Sequence, residues 1–173
     1  MKSSVAGMDA ESLKQLRWLA DVEAIKQLKH RYCGFCDAGY DADSLAALFT
    51  EDAVWDGGLI GRHEGREAIR TFFQGSSRRV PFALHMVMNP VIDVQGDSAT
   101  GSWYLWQPLV YALPPGEEAW WLSARYDDVY RREPNGWKFA RVTLSIKLLA
   151  PYDKGFGETR INNVYATLKP GSS

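Results

Sequence analysis

Residues 100–149 read TGSWYLWQPLVYALPPGEEAWWLSARYDDVYRREPNGWKFARVTLSIKLL, and this stretch decides the fold. It divides at two turns, Pro114-Pro115-Gly116 and Glu133-Pro134-Asn135-Gly136. Proline presets φ and cannot donate to a sheet ladder, while glycine and asparagine tolerate the backbone a reversal needs. Between the turns the chain is rich in aromatic and β-branched residues, which fit a pleated, half-buried surface. Three long antiparallel strands are therefore expected, over 100–113, 119–132 and 137–149. Just upstream, residues 82–94 alternate and end at Gln95-Gly96-Asp97, which adds a fourth.

Helices precede the strands. Leu13, Leu16, Leu19, Val22, Ile25, Leu28, Tyr32 and Phe35 recur at three- and four-residue spacing. They mark one long amphipathic helix, capped near Asp9 or Ser12, stopped at Gly39, with a break near Leu19-Ala20-Asp21. Asp43 or Ser44 caps a short helix at 45–49, residues 53–56 form a short strand, and residues 67–73 form a third helix. Helices followed by a meander imply an α+β fold, with the helices packed on one curved antiparallel sheet. Residues 1–8 read as a flexible tail, 9–160 as a single domain and 161–173 as a C-terminal extension ending in the loose Lys169-Pro170-Gly171-Ser172-Ser173.

Composition narrows the function classes. At 173 residues the chain fits one domain with a sizeable core. Seven Trp, eight Tyr and seven Phe exceed what a small core needs, so some are expected around a cavity; a dense core plus an oligomer interface is the competing account. Net charge is −1 and the basic residues are scattered. The doublets Arg78-Arg79 and Arg131-Arg132 read as solvated, so nucleic acid is not an expected partner. No run of 18 apolar residues exists, and the first eight residues lack an apolar signal core, so the expected compartment is the cytoplasm. Cys33 and Cys36, in C-G-F-C, lie in a helical stretch with no second pair, which reads as two reduced, buried thiols rather than a redox or zinc motif. His30, between Lys29 and Arg31, belongs to a solvated face, and His63 sits in a glycine-flanked loop. No metal-ligand cluster, phosphate loop or nucleophile elbow is present, so the chemistry expected is cofactor-free acid–base work.

His85 is the candidate base. Alternation puts it on the face of Ala83, Val87 and Asn89, among apolar neighbours, where its ring needs a partner. A core histidine tied to a backbone carbonyl is the alternative. Asp37 is the candidate acid beside it. A carboxylate suits a helix C-terminus poorly, so it is either compensated there or a plain turn aspartate. Tyr32 could polarise a carbonyl or shuttle a proton, or simply fill the core. Five residues turn Asp37 about 140° from Tyr32, so both reach one pocket only if the helix ends or bends near Cys36. Asp56, Gln107, Ser123 and Lys147 are the other polar positions on apolar strands.

Several of these stretches together resemble the SnoaL-like family of the nuclear transport factor 2-like superfamily. They are D-S-L-A-A-L-F-T-E-D-A-V-W-D at 43–56, G-R-H-E-G-R-E-A-I-R-T-F-F at 61–73, H-M-V-M-N-P at 85–90, G-D-S-A-T-G-S-W-Y at 96–104 and G-W-K-F at 136–139. The resemblance implies a cone-shaped α+β barrel around an apolar cavity. The spacing of Tyr32, Asp37 and His85 is similar to that in scytalone dehydratase and bile acid 7α-dehydratase. It thereby implies catalytic roles for all three, and a substrate wall of Trp55, Asp56, Phe73, Trp103 and Gln107. Asp56 stands where both enzymes have tyrosine, Gln107 where the bile acid enzyme has an acid, and no second histidine occurs at 121–125. The function implied is a lyase, dehydratase-like, that needs no metal or cofactor and acts on a hydrophobic aromatic or polycyclic hydroxy compound. A C–C lyase of the deformylase kind, a double-bond isomerase, and a non-catalytic module like the β-subunits of ring-hydroxylating dioxygenases are the alternatives. A homo-oligomer, dimer or trimer, is expected from an open aromatic-rich sheet.

Overall fold

The computed structural model describes residues 9–166. Helix α1 (Ala10–Asp37) begins at Asp9, whose carboxylate accepts the Ser12 N–H at 2.8 Å. The helix runs through 19–21 without the expected break. Its stripe is buried only from Ile25 onward; Leu16 and Leu19 remain exposed. Periodicity names a face, but burial also needs a partner, and the core takes up α1 from Ile25. His30 is exposed as expected, while its neighbour Lys29 is fully buried.

Asp41, rather than Asp43 or Ser44, caps the short α2 (Ala42–Ala46) by accepting the Ser44 N–H. Strand β1 (Phe49–Asp56) starts four residues before its expected position and leads through a 3-10 turn at Gly58–Ile60 into β2 (Arg62–Glu64). His63 is therefore a strand residue, stacked on Phe72 with ring centroids 4.3 Å apart, and not a loop residue. Helices α3 (Arg66–Phe73) and α4 (Ser76–Arg79) follow.

The expected strand at 82–94 forms as two pieces, β3 (Phe82–Ala83) and β4 (Met86–Gln95). Both pair with β5 (Ser98–Leu113), which continues into β6 (Gly116–Glu133) and β7 (Gly136–Pro151). The gap has its cause on the facing strand. Leu84 donates to the Pro108 carbonyl at 3.1 Å, and Pro108 has no N–H to return the bond. The sheet order is β2-β1-β7-β6-β5-β3, with β4 also on β5. Every pairing is antiparallel except β1 with β7. Register shifts between β6 and β7, opposite Ser123/Ala124 and Val129/Tyr130, each insert one extra residue on β7 and bend the long strands, and the sheet curves without closing.

Alternation sorts the two faces. Along β5, Trp103, Leu105, Gln107, Leu109 and Tyr111 are buried against the helices. Met86, Met88 and Tyr104 face outward, where Trp106 and Trp121 stack at 5.3 Å. After β7 the chain doubles back. Leu149 donates to the Arg160 carbonyl at 2.7 Å and accepts from Asn162 at 2.8 Å. That returns a 3-10 turn at Val164–Ala166 to the core, with Val164 buried. The flexible tail expected at 1–8, and the loose end at 169–173, lie outside the described residues.

Candidate active site

Between the inner sheet face and helices α1, α3 and α4 lies a cavity of about 60 Å³. Tyr32 and Cys36 reach it from the last turns of α1, Trp55 from β1, Phe73 from α3, and Gln107 and Tyr126 from the sheet. His85 lies at its edge, in the gap between β3 and β4.

The gap is what gives His85 its partner. Alternation turns the His85 N–H away from β5, toward the open edge of the sheet. There both oxygens of Asp37 receive it, at 2.9 and 3.1 Å. The same carboxylate lies 2.6 Å from the His85 ring at Nδ1. Asp37, the last residue of α1, thus holds main chain and ring together. These donors compensate an anion that the helix terminus would otherwise disfavour. With Nδ1 committed to Asp37, Nε2 has no protein partner among the described residues and is the nitrogen available to the cavity. The histidine side chain is only 7% exposed. The 140° between Tyr32 and Asp37 is accommodated without a bend: Tyr32 faces the cavity, while Asp37 stands behind His85 and does not line it.

The Tyr32 hydroxyl accepts the Trp55 indole N–H at 2.9 Å, and its own proton lies within hydrogen-bonding reach of the Cys36 sulfur, whose pKa it lowers against the effect of burial. Burial pushes its pKa well above the usual phenol value, and the neighbouring Cys36 adds to the effect. Burial likewise raises Tyr126, Tyr40 and Tyr165, the last to about 12. The wall phenols are therefore neutral donors at neutral pH. Both cysteines are free and buried, and burial lifts Cys33 to about 11 and Cys36 well above the ordinary thiol value.

Tyr32, His85, Trp55, Phe73 and Gln107 share the cavity, with Asp37 one bond behind. Asp56 and Trp103 do not. Asp56 neighbours Trp55 and so projects from the opposite face of β1; its carboxylate accepts from Gly58 and Arg62 at 3.0 Å each. Trp103 is inward-facing, but four residues before Gln107, about 13 Å along the strand. Its indole donates to the Tyr130 hydroxyl at 3.1 Å. The sequence reading also missed wall residues. Tyr40 follows Gly39 with a left-handed φ of 61°, and its ring stacks on Phe73 at 6.2 Å and meets His85 edge-on at 6.3 Å. Phe72, Arg79 and Tyr165 complete the rim. Arg79, read as solvated, is half-buried there. The helical spacing of Ile69, Phe72 and Phe73 on α3 could have signalled Phe72; nothing local signals Arg79 or Tyr165.

A cavity near 60 Å³ is under half the roughly 150 Å³ that accommodates benzene. An aromatic ligand therefore enters only as rim side chains move. Tyr165 is the outermost of them in sequence, held by a hydroxyl bond to Tyr111 and an edge-on ring contact at 5.6 Å. Among the described residues, no group of three or more His, Cys, Asp or Glu is placed to hold a metal ion, and no helix is long and apolar enough to cross a membrane.

Comparison with known proteins agrees with this architecture. The chain is 30% identical to the uncharacterized protein Rv2910c of Mycobacterium tuberculosis over 100 residues, 57% of this chain and 67% of the relative. Among solved structures, a Novosphingobium aromaticivorans protein provisionally named an aromatic ring hydroxylase superposes with a TM-score of 0.70 at 29% identity, over 79% of this chain and 96% of that one. Hexachlorocyclohexane dehydrochlorinase LinA-type3 of Novosphingobium barchaimii gives a TM-score of 0.70 at 23% identity, over 79% of this chain and 93% of the other, a likeness of fold. The SnoaL-like domain profile matches residues 17–143, which carry most of α1, the other cavity-bearing helices and most of the sheet. The chain belongs to the SnoaL-like domain family, with the cone-shaped α+β fold of nuclear transport factor 2-like proteins.

Proposed function

We propose that the chain is a cofactor-independent lyase, dehydratase-like, acting on a hydrophobic aromatic or polycyclic hydroxy compound. One observation carries the reading: an imidazole at the edge of an aromatic cavity, with Nδ1 bound to a carboxylate at 2.6 Å and Nε2 left for a ligand. Asp37 fixes the tautomer and stabilises the imidazolium that forms when a proton arrives. His85 Nε2 removes a proton from a carbon activated by a neighbouring carbonyl. The C–H electron pair becomes the new C=C bond as the β C–O bond breaks. The departing hydroxide takes a proton from the imidazolium and leaves as water, so the base is restored. Tyr32, whose oxygen already accepts from Trp55, donates its hydroxyl proton to the carbonyl oxygen where charge develops. Apolar walls exclude bulk water from the intermediate.

The test is steady-state turnover on a panel of aromatic β-hydroxy ketones, followed by the ultraviolet absorbance of the conjugated product. General-base assistance is worth on the order of 10²–10⁴, so His85→Gln and Asp37→Asn should each lose about that factor with melting unchanged. Because the two act as a unit, the double variant should be little worse than the worse single one. Near-parental turnover in His85→Gln removes the base from the mechanism. Tight binding of panel members with no turnover in the parent chain favours a binding module instead.

A further inference from the structure

We propose that the cavity ligand is an aromatic acid, whose anionic group is received by Arg79. The inference deepens the reading of the cavity as the functional site and rests on it.

Arg79 is the last residue of α4 and lines two spaces at once. One is the cavity that contains His85; the other is an outer groove of about 640 Å³, shared with Leu59, His63 and Tyr165. It thus stands where a ligand passes from the apolar interior to water. Six of the twelve arginines have a carboxylate at ion-pair distance, and six, Arg78 and Arg79 among them, have none among the described residues.

Its hydrogen bonds show how it is held. Both leave from Nη2, to the Ser76 hydroxyl at 3.1 Å and to the Phe72 carbonyl at 3.3 Å. The guanidinium carbon lies 5.5 Å from the Phe72 ring centre. One nitrogen and one flat face are therefore anchored to the helical rim. Nε and Nη1 make no hydrogen bond among the described residues. Those two nitrogens lie on different edges of the guanidinium, so each offers a single N–H to one oxygen of an incoming anion. An anchored fork loses less freedom on binding than a loose one, which adds to the gain from an incoming anion.

The charge is felt inside the cavity. It opposes the burial-driven rise of the Tyr40 and Tyr165 phenols, and it helps to lower His63. A half-buried guanidinium over the Phe72 ring, with no carboxylate at ion-pair distance among the described residues, keeps its charge for a ligand anion at the rim. Besides His85, the polar groups of the wall are neutral: the tyrosine hydroxyls, the Ser76 hydroxyl and the Gln107 amide, which is buried and makes no side-chain hydrogen bond among the described residues. A ligand with its ring in the aromatic interior and its acidic group at the rim meets each of these in turn.

The test uses two probes of one shape, 2-naphthoate and 2-naphthamide, titrated calorimetrically into the whole chain. Binding is located by the ring resonances of ¹⁵N-histidine; with three histidines in the chain, His85 is readily assigned. We expect 2-naphthoate to bind at least tenfold more tightly than 2-naphthamide, both shifting His85. Arg79→Gln should abolish that preference while changing 2-naphthamide affinity less than twofold, and Arg79→Lys should keep most of it. Equal affinity for the two probes, or a preference that survives Arg79→Gln, overturns the inference and leaves the cavity reading intact. Failure of both probes to bind or to shift His85 overturns the inference and the cavity reading together. Turnover is not needed for either result, so an inactive but acid-selective cavity supports the inference while counting against the lyase.

Discussion

Lys29→Met isolates the most consequential polar interaction outside the cavity. Lys29 Nζ lies 2.9 Å from Asp128 Oδ2, and both side chains are 0% exposed. The same carboxylate oxygen accepts the Tyr130 hydroxyl at 2.9 Å, and the ammonium sits 3.2 Å from the centre of the Tyr126 ring. Among the described residues Asp128 Oδ1 has no hydrogen-bond partner, and the carboxylate depends there on Lys29 and Tyr130. Burial already outweighs Lys29 and raises the Asp128 pKa. Removing the cation leaves a buried, half-satisfied anion, a change worth about 3–5 kcal/mol. For a chain of this size, 1 kcal/mol shifts the melting temperature by roughly 2–4 °C, so a loss of about 6–20 °C is expected. Replacing both groups, as Lys29→Met with Asp128→Leu, removes charge and partner together and should recover most of that loss. The pH trend has a definite sign. A carboxyl whose folded pKa is raised binds more protons folded than unfolded, so the folded state loses stability as pH rises through that range. In Lys29→Met the deficit should therefore shrink between neutral and mildly acidic pH. Urea titrations and thermal melts of the parent, both single variants and the double variant measure all of this. A Lys29→Met chain that melts within about 2 °C of the parent would refute the reasoning.

Two further outcomes follow from groups already placed. With Cys33 lifted to about 11, only about one thiol in a thousand is ionised at pH 8, so a disulfide reagent should label the folded chain very slowly and the urea-unfolded chain at once; fast labelling without unfolding would contradict the burial. Asp21 accepts from Arg132 at 2.7 Å and from Trp137 at 3.1 Å, and the arginine chiefly lowers its pKa. Its stabilisation is present above the ordinary carboxyl pKa and fades as pH falls through the lowered one. Asp21→Asn should thus cost about 1 kcal/mol near neutrality, discounted for solvent screening, and almost nothing in strong acid; a loss independent of pH would point to packing instead.

The long strands and their turns were legible because their determinants are local. Pro114-Pro115-Gly116 and Glu133-Pro134-Asn135-Gly136 each carry the reversal within the residues that make it, and β5, β6 and β7 meet there. The first helix was legible in extent for the same reason, through Asp9 and its own periodicity. What escaped depended on residues far along the chain. The interruption of the strand at Leu84-His85 is set by Pro108 across the sheet. Lys29 is buried because Asp128 waits 99 residues later, and no neighbour of Lys29 announces it. Leu16 and Leu19 carry the right spacing yet find no core beneath them. In the cavity, Tyr32 and His85 were readable as polar interruptions of apolar patterns. Trp103 was misplaced because alternation fixes the face of a residue and not its depth along the strand. Arg79 and Tyr165 come to the rim through chain reversals that leave no periodic trace.

Tyr165 has a consequence for how such a cavity changes over time. The family profile ends at residue 143, yet the rim is completed by a side chain beyond it, carried on a segment bound to the sheet through Leu149 and to Tyr111 through one hydroxyl. The scaffold that supports Asp37 and His85 is thus specified separately from the piece that bounds the opening. Substitutions around 161–166 can reshape the entrance while the helices and long strands keep their own contacts. A lineage can then exchange one ligand for another by editing the few residues of that segment, and a protein engineer can do the same by grafting it from one relative to the next.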